Sequence, residues 1–284
     1  MTWDIRGKLC VVTGANSGIG KHTAIGLARD GARIVMVCRD LEKAELARAE
    51  IQAAAGSDQI ELMQCDMANL GSIRSFTDAF CAKHDRLDVL VNNAGAMFSK
   101  RELTVDGYES SFAVNHLGYF LVTKGLLDLI EASAPSRIVS VASGGHRMGW
   151  FDLGNLQGEK LYSRYVAYGT SKLCNIMFTY ELARRLEGTG VTANCLHPGA
   201  VGSNFGASSG ALFSTLMKVG KPVLIGPEKG ARTSIYLAAS PEVDGTTGGY
   251  YAKCKPSKSS RKSHDREAQR QLWELSEQLV QGRG

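Results

Sequence analysis

No run of about 18 uninterrupted apolar residues occurs in this sequence, so it lacks the length of hydrophobic chain that a membrane-crossing helix needs. Residues 1–6 carry no apolar signal-peptide core either, and a soluble, cytoplasmic protein with no integral membrane segment is expected. Paired cysteines are also missing. The seven present, at positions 10, 38, 65, 81, 174, 195 and 254, are odd in number, scattered and mostly set in apolar runs, without the spacing of a metal site. They read as small core residues in a reducing compartment, which argues against a disulfide-stapled fold. No linker, repeat or low-complexity stretch divides the chain, so a single domain over residues 1–284 is expected. An excess of one charge is confined to one place: the net +5 equals the five bases Lys253, Lys255, Lys258, Arg261 and Lys262, with no acid between them. Without interleaved aromatics this stretch reads as a solvated face, and no nucleic-acid partner is expected.

What is present is ordinary globular material, 44% apolar and 21% charged over 284 residues, enough to bury a sizeable core. Strand patterns at 8–13, 33–38, 60–65, 87–91, 137–141, 191–196 and, shorter, near 249–252 alternate with helical patterns. The helices fall at 18–30, 41–55, 72–83, about 117–133, about 165–187, 227–239 and about 265–280. Such alternation predicts an α/β fold with a parallel sheet, helices on both faces, and a ligand along the carboxyl ends of the strands.

Between the first strand and first helix lie Thr13 and Gly14, then Asn16, Ser17, Gly18, Ile19 and Gly20. Glycines lacking Cβ atoms let the backbone approach a pyrophosphate, and free N–H groups at a helix start bind it. The spacing is Gly-x-x-x-Gly-x-Gly rather than the usual Gly-x-Gly-x-x-Gly, and a plain strand-to-helix turn is the alternative. At the end of the second strand a carboxylate would accept from ribose hydroxyls; Arg39 stands there instead and can pair with a 2′-phosphate, which favours NADP over NAD. Asp40 beside it argues the other way. Asp66, followed by Met67, either accepts from an adenine amino group or caps the next helix. Asn93, Ala94 and Gly95 combine small residues that can pass an adenine ribose with an amide that can tie neighbouring loops.

Farther along, Tyr168 and Lys172 stand four residues apart, on one face of a helix. An ammonium beside a phenol favours its ionised form and makes the tyrosine usable as an acid or base near neutral pH. Ser143 follows the fifth strand, where its hydroxyl can hold a substrate oxygen; no Gly-x-Ser-x-Gly elbow marks a nucleophile. Asn115 sits in an apolar helical stretch, where an unpartnered amide costs about 1–3 kcal/mol. A water relay to Lys172 or a backbone bond would satisfy it, and the neighbouring His116 reads as a packed histidine. After the sixth strand, His197, Pro198 and Gly199 form a rigid turn, followed by Val201 and by Ser203, within reach of a nicotinamide carboxamide.

In this order, the Thr-Gly-x-x-x-Gly-Ile-Gly loop, Asn92-Asn93-Ala94-Gly95, Asn115, Ser143, the Tyr168 and Lys172 pair and the Pro198-Gly199 turn resemble the short-chain dehydrogenase/reductase family over about residues 5–255. The resemblance implies a Rossmann-type doubly wound parallel sheet of seven strands, order 3-2-1-4-5-6-7, and carbonyl–alcohol interconversion with a nicotinamide cofactor. It implies that Ser143 orients the carbonyl, Tyr168 is the acid/base, Lys172 lowers its pKa and binds the ribose, and Asn115 completes a proton relay. Implied cofactor contacts are Gly14, Asn16, Ser17, Gly18, Ile19, Gly20, Arg39, Asp66, Met67, Asn93, Ala94, Gly95, Tyr168, Lys172, Pro198, Gly199, Val201 and Ser203. Residues 37–40, 112–118, 168–175 and 196–199 look like the retinol dehydrogenase-like branch, which is mostly NADP-dependent. Two departures stand out: Ala142 takes the place of a common second serine, and the membrane-anchoring N-terminal segment of many animal members is not seen. Helices like those starting near Leu117 and Tyr165 commonly pack across a dimer axis in this family, so a homodimer is expected unless the long insertion obstructs that face.

Two insertions, at about 144–164 and 200–226, carry Met148, Trp150, Phe151, Leu153 and Leu156, and Leu212, Phe213, Leu216 and Met217. As walls of the site they predict a bulky lipophilic carbonyl or alcohol substrate; as core or subunit contacts they predict nothing about it. Two other readings remain: an NADP-binding regulator or scaffold without turnover, and a protochlorophyllide reductase-like enzyme, a branch that also has a Ser-Lys-x-Cys-Asn run like residues 171–175.

Overall fold

Residues 3–200 and 225–281 are described by the computed structural model of the chain. Strand alternation explains its layers. In β1 (Leu9–Thr13), Leu9 and Val11 face one core while Cys10 and Val12 face another; in β2 (Arg33–Cys38), Val35 and Val37 oppose Ile34 and Met36. Nearly continuous burial with a period of two is what a sheet covered on both faces requires. The remaining strands are β3 (Ile60–Gln64), β4 (Val89–Asn92), β5 (Ser136–Val141), β6 (Val191–His197), β7 (Tyr250–Ala252) and β8 (Lys255–Pro256).

The helices are α1 (Gly18–Arg29), α2 (Leu41–Ala55), α3 (Leu70–Lys83) and the short α4 (Ser110–Phe112), which runs through a π turn at Ala113–Leu117 into α5 (Gly118–Ala132). They are followed by α6 (Arg164–Arg185), α7 (Pro227–Ala239) and α8 (Arg266–Gln281). Apolar residues of α3, α5, α6 and α8 fill one core, and those of α1, α2 and α7 fill the other. None of the helices among the described residues is long and apolar enough to cross a membrane.

The sheet runs β3-β2-β1-β4-β5-β6-β7-β8, parallel throughout except for the last pair. The expected order is present, but with eight strands rather than seven. The extra strand depends on a turn in which Lys253 (φ 52°) and Cys254 (φ 57°) both adopt left-handed backbone, as a two-residue hairpin demands. Lys-Cys lacks the Asn-Gly signature of such turns. Pro256 in β8 is tolerated because an edge strand can spare its N–H. The strand order reverses between β1 and β4, which opens the crevice where ligands bind in such sheets.

The terminal helix α8 lies over α5 and α6. Trp273 packs edge-on against Phe120 at 5.0 Å and stacks on Phe178 at 5.8 Å, while Tyr108 donates to the Leu279 carbonyl at 2.9 Å. Burying a side chain such as Phe120 contributes about 1.5–3 kcal/mol. Part of the surface of α5 and α6 is therefore covered from within the chain, by α8.

Candidate active site

The turn from β1 into α1 is built for close approach. Gly14 (φ 68°) and Gly18 (φ 54°) occupy left-handed backbone. A Cβ on Gly14 would lie 2.9 Å from the Ala94 Cα, and one on Gly20 would lie 2.3 Å from the Gly14 carbonyl oxygen. Ser17 precedes α1 without a side-chain capping bond, so the first-turn N–H groups are left without that partner. Asn93 ties the loop after β4 to this turn: its Nδ2 donates to the carbonyl oxygens of Thr13 (2.7 Å) and Gly14 (3.4 Å). Thr13 returns the clamp, with Oγ1 accepting from the N–H groups of Asn93 (2.9 Å) and Ala94 (3.0 Å). Thr13 was expected only as the start of the glycine loop, and this clamp adds a second role.

Arg39 is exposed at the end of β2. The carboxylate of Asp40 is occupied as the cap of α2, accepting from the Lys43 N–H at 3.1 Å and its Nζ at 2.6 Å, and Lys43 lowers its pKa. Asp66 accepts from the Ala68 N–H at 3.0 Å, but the cap of α3 is Asn69. Met67 is buried, and a Cβ on Gly118 would lie 2.9 Å from its Cε. Gly199 (φ 97°) follows Pro198 at the end of β6, while Val201, Ser203 and the apolar residues of the second insertion lie outside the described residues.

Beyond the carboxyl end of β5, the chain brings the four expected catalytic residues together. Ser143 is extended (φ −159°, ψ 155°) and opens the 3-10 turn Gly144–Met148; its Oγ accepts from the Gly145 N–H at 3.1 Å and hydrogen-bonds the Tyr168 phenol. One helical turn on, Lys172 is buried and donates from Nζ to the Val141 carbonyl at 2.9 Å. Burial lowers Lys172 to about 7 and raises Tyr168 to about 12, the Ser143 bond pulling Tyr168 the other way. The Lys172 Nζ is directed to Val141 and lies 6.0 Å from the Tyr168 ring centroid.

Asn115, in the π turn, satisfies its amide through the backbone. Oδ1 accepts from the Ala96 N–H at 2.8 Å, and Nδ2 donates to the Ala96 carbonyl and to the Ser171 Oγ, both at 2.9 Å. It clips the loop after β4 to α6, so the backbone bond, one of the two expected ways of satisfying this amide, is present. A Cβ on Gly95 would lie 3.0 Å from Asn115 Oδ1 and 3.2 Å from Lys172 Nζ, so glycine keeps this passage open. His116 is fully buried against Ser276, with burial lowering it to about 3: a packed histidine, as expected.

Two other histidines were missed as parts of the site. His197 Nδ1 accepts from the Gly144 N–H at 2.9 Å, and His146 Nδ1 lies 2.6 Å from the Ser143 carbonyl oxygen. For His146 the signal was its place three residues after Ser143, the reach of a turn. Among the apolar residues of the first insertion, Leu156 is buried and Phe151 packs against the core, whereas Met148, Trp150 and Leu153 are 55%, 61% and 48% exposed. A cleft of about 550 Å³, lined by Arg184, Val191, Thr192, His264 and Arg266, lies at the opposite, amino-terminal end of β6, away from this chemistry.

The short chain dehydrogenase family profile matches residues 8–211. Retinol dehydrogenase 11 of Mus musculus is 43% identical over 274 residues, covering 96% of this chain and 86% of that protein. Retinol dehydrogenase 14 of Homo sapiens is 43% identical over 303 residues, covering 97% and 87%. Among solved structures, an uncharacterised protein from Mycobacterium paratuberculosis superposes with a TM-score of 0.80 at 34% identity, over 99% of this chain and 96% of that one. An actinorhodin polyketide ketoreductase solved with NADPH superposes with a TM-score of 0.69 at 27% identity, over 86% and 94%. The chain belongs to the short-chain dehydrogenase family, in its retinol dehydrogenase-like branch, and is an oxidoreductase acting on CH–OH groups with a nicotinamide cofactor.

Proposed function

We propose that this protein is an NADP(H)-dependent oxidoreductase that interconverts a carbonyl and an alcohol on a lipophilic small molecule. The observation that carries the reading is the Ser143 hydroxyl bonded to the Tyr168 phenol, with Lys172 one helical turn away. The glycine turn fits a dinucleotide: Gly14, Gly20 and Gly95 allow close packing that a Cβ would block, Gly18 takes left-handed backbone, and the start of α1 offers N–H groups to a pyrophosphate. A bound nicotinamide supplies or accepts the hydride. Ser143 Oγ accepts from Gly145, and its own proton can turn from Tyr168 to the substrate oxygen as negative charge develops there. Tyr168, protonated at neutral pH, delivers its proton in reduction, and its phenolate accepts one in oxidation. Lys172, once charged, favours that phenolate, and Asn115 holds the Gly95–Ala96 edge in place.

Arg39, exposed beside an Asp40 already engaged by Lys43, supports the NADP preference. The exposed Met148, Trp150 and Leu153 on the segment following Ser143, together with relatives named retinol dehydrogenases, support a lipophilic substrate. The seven cysteines are all free, in keeping with a reducing, cytoplasmic setting. An Arg39→Ala variant tests the cofactor choice: NADPH binding should weaken about 10- to 100-fold, the loss of a charged hydrogen bond, while NADH binding stays constant. An unchanged ratio of the two affinities would remove Arg39 as the phosphate reader.

A further inference from the structure

The segment after β8, read from its composition as a solvated basic face, is fastened across the turn that carries Ser143. The Arg147 Nη2 donates to the Lys258 carbonyl at 2.8 Å, and Lys262 Nζ donates to the Gly149 carbonyl at 3.0 Å while lying 4.5 Å from the Trp150 ring centroid. Beneath them, Ser259 Oγ bonds the Tyr180 hydroxyl (2.8 Å), Ser263 Oγ (2.7 Å) and His264 Nε2 (2.9 Å). Between these contacts lies the fully buried His146, with the Ser143 carbonyl 2.6 Å from Nδ1 and the Ser260 N–H donating to Nε2 at 3.0 Å.

These two partners fix the tautomer. A carbonyl oxygen only accepts, so Nδ1 carries the proton; a backbone N–H only donates, so Nε2 does not. A charged ring would set N–H against N–H at Ser260. Burial, with the Arg147 charge nearby, lowers the His146 pKa and keeps the ring neutral. The ring is further walled by Tyr250 of β7, 5.4 Å away edge-on. The turn itself lies directly on α6 beside the catalytic tyrosine: a Cβ on Gly145 would be 3.2 Å from Tyr168 Cε1, and one on Gly149 would be 2.5 Å from the Gly169 carbonyl oxygen.

We propose that His146 is a positioning residue for the reaction, tying the Ser143 turn to the strap of residues 257–264 and so aiming the Ser143 hydroxyl at Tyr168 and the substrate oxygen. This rests on the reading of Ser143 and Tyr168 as the reacting pair. The strap supplies the bond that holds the ring in the tautomer able to bond Ser143.

The two bonds can be cut separately in the full-length protein. An asparagine amide can take the place of Nδ1, whereas a glutamine carbonyl can reach the place of Nε2. His146→Gln should lower kcat about 10- to 100-fold, the range for a misplaced reacting group, with the NADPH dissociation constant unchanged. His146→Asn should recover most of that loss. Ser260→Pro removes the strap's N–H donor at a residue whose φ of −70° already suits proline, and should also lower kcat. Equal kcat losses in the glutamine and asparagine variants, tracking their losses of thermal stability, would reduce His146 to a structural role and overturn the proposal. Nitrogen-15 NMR of the ring supplies a readout besides turnover: a protonated Nδ1 and bare Nε2 are expected in the wild type, and a mixture in Ser260→Pro. The opposite tautomer in the wild type would overturn the tether. Absence of turnover in the wild type with the expected tautomer present would instead count against the functional reading of Ser143 and Tyr168.

Discussion

The glycine turn at residues 13–20 and the serine turn at 143–149 both bring backbone to the same crevice, yet they are held by different means. The first is held by absences and by its nearest loop: glycines where a Cβ would collide, and Thr13 and Asn93 exchanging bonds across neighbouring strands. The second is held from a distance, through His146, Arg147 and Gly149, by a strap more than one hundred positions later in the chain. That strap leads into α8, which Trp273 and Val280 anchor in the core. The glycine turn is thus held by the loop of the adjacent strand, and the serine turn by the carboxy-terminal arm.

Breaking the arm should separate the two sides. Trp273→Ala removes a side chain packed on Phe120, Phe178 and the Arg185 guanidinium, at a cost of about 3–5 kcal/mol in urea unfolding. In the protein that remains folded, kcat should fall while NADPH affinity holds; affinity falling in step with kcat would mean that the two sides are not separable. Gly20→Ala acts on the other side. Its Cβ would lie 2.3 Å from the Gly14 carbonyl oxygen and 2.4 Å from Asn93 Nδ2, an overpacking worth about 1–3 kcal/mol that should appear first as lost cofactor binding in a fluorescence titration.

Lys172 lies between the two turns and gives a pH signature. Its pKa is about 7 when folded against an ordinary 10.5, so between those values the unfolded chain binds the extra proton. Stability should therefore rise with pH across that window, the full cost of burying the charge being present below about 7. Lys172→Met should flatten this rise in denaturation curves taken from pH 7 to 10; an identical slope in wild type and variant would place the titrating group elsewhere. The smallest expected effect is that of Lys262→Ala, which removes an exposed contact with Trp150 and should cost about 0.5–1 kcal/mol, with a modest drop in kcat and none in cofactor affinity.

This contrast also explains what could be read in the sequence. The helices Leu41–Ala55 and Pro227–Ala239 and the strand Arg33–Cys38 have the boundaries that periodicity and capping residues indicate, since those signals are local. The glycine turn, Tyr168 and Lys172 were legible for the same reason. The strand Lys255–Pro256 was not, because left-handed Lys253 and Cys254 carry no turn signature. Helix onset at Ser110 was also missed: the buried Ser110, Ser111, Asn115 and His116 break the apolar pattern, and the side chains of Ser110, Asn115 and His116 find their partners only in the folded chain. The role of the basic strap was invisible for a similar reason. Its composition describes its exposed charges, while its function is carried by backbone groups at Lys258 and Ser260.

The most direct test follows NADPH oxidation at 340 nm by the wild type and by Tyr168→Phe, across retinal, long-chain aldehydes, aromatic ketones and small polar ketones. Turnover by the wild type on the lipophilic members is predicted, falling about 100- to 10,000-fold in Tyr168→Phe with NADPH binding retained, the range expected for loss of a general acid. Equal turnover by both proteins, or NADPH binding without turnover of any member, would contradict the account.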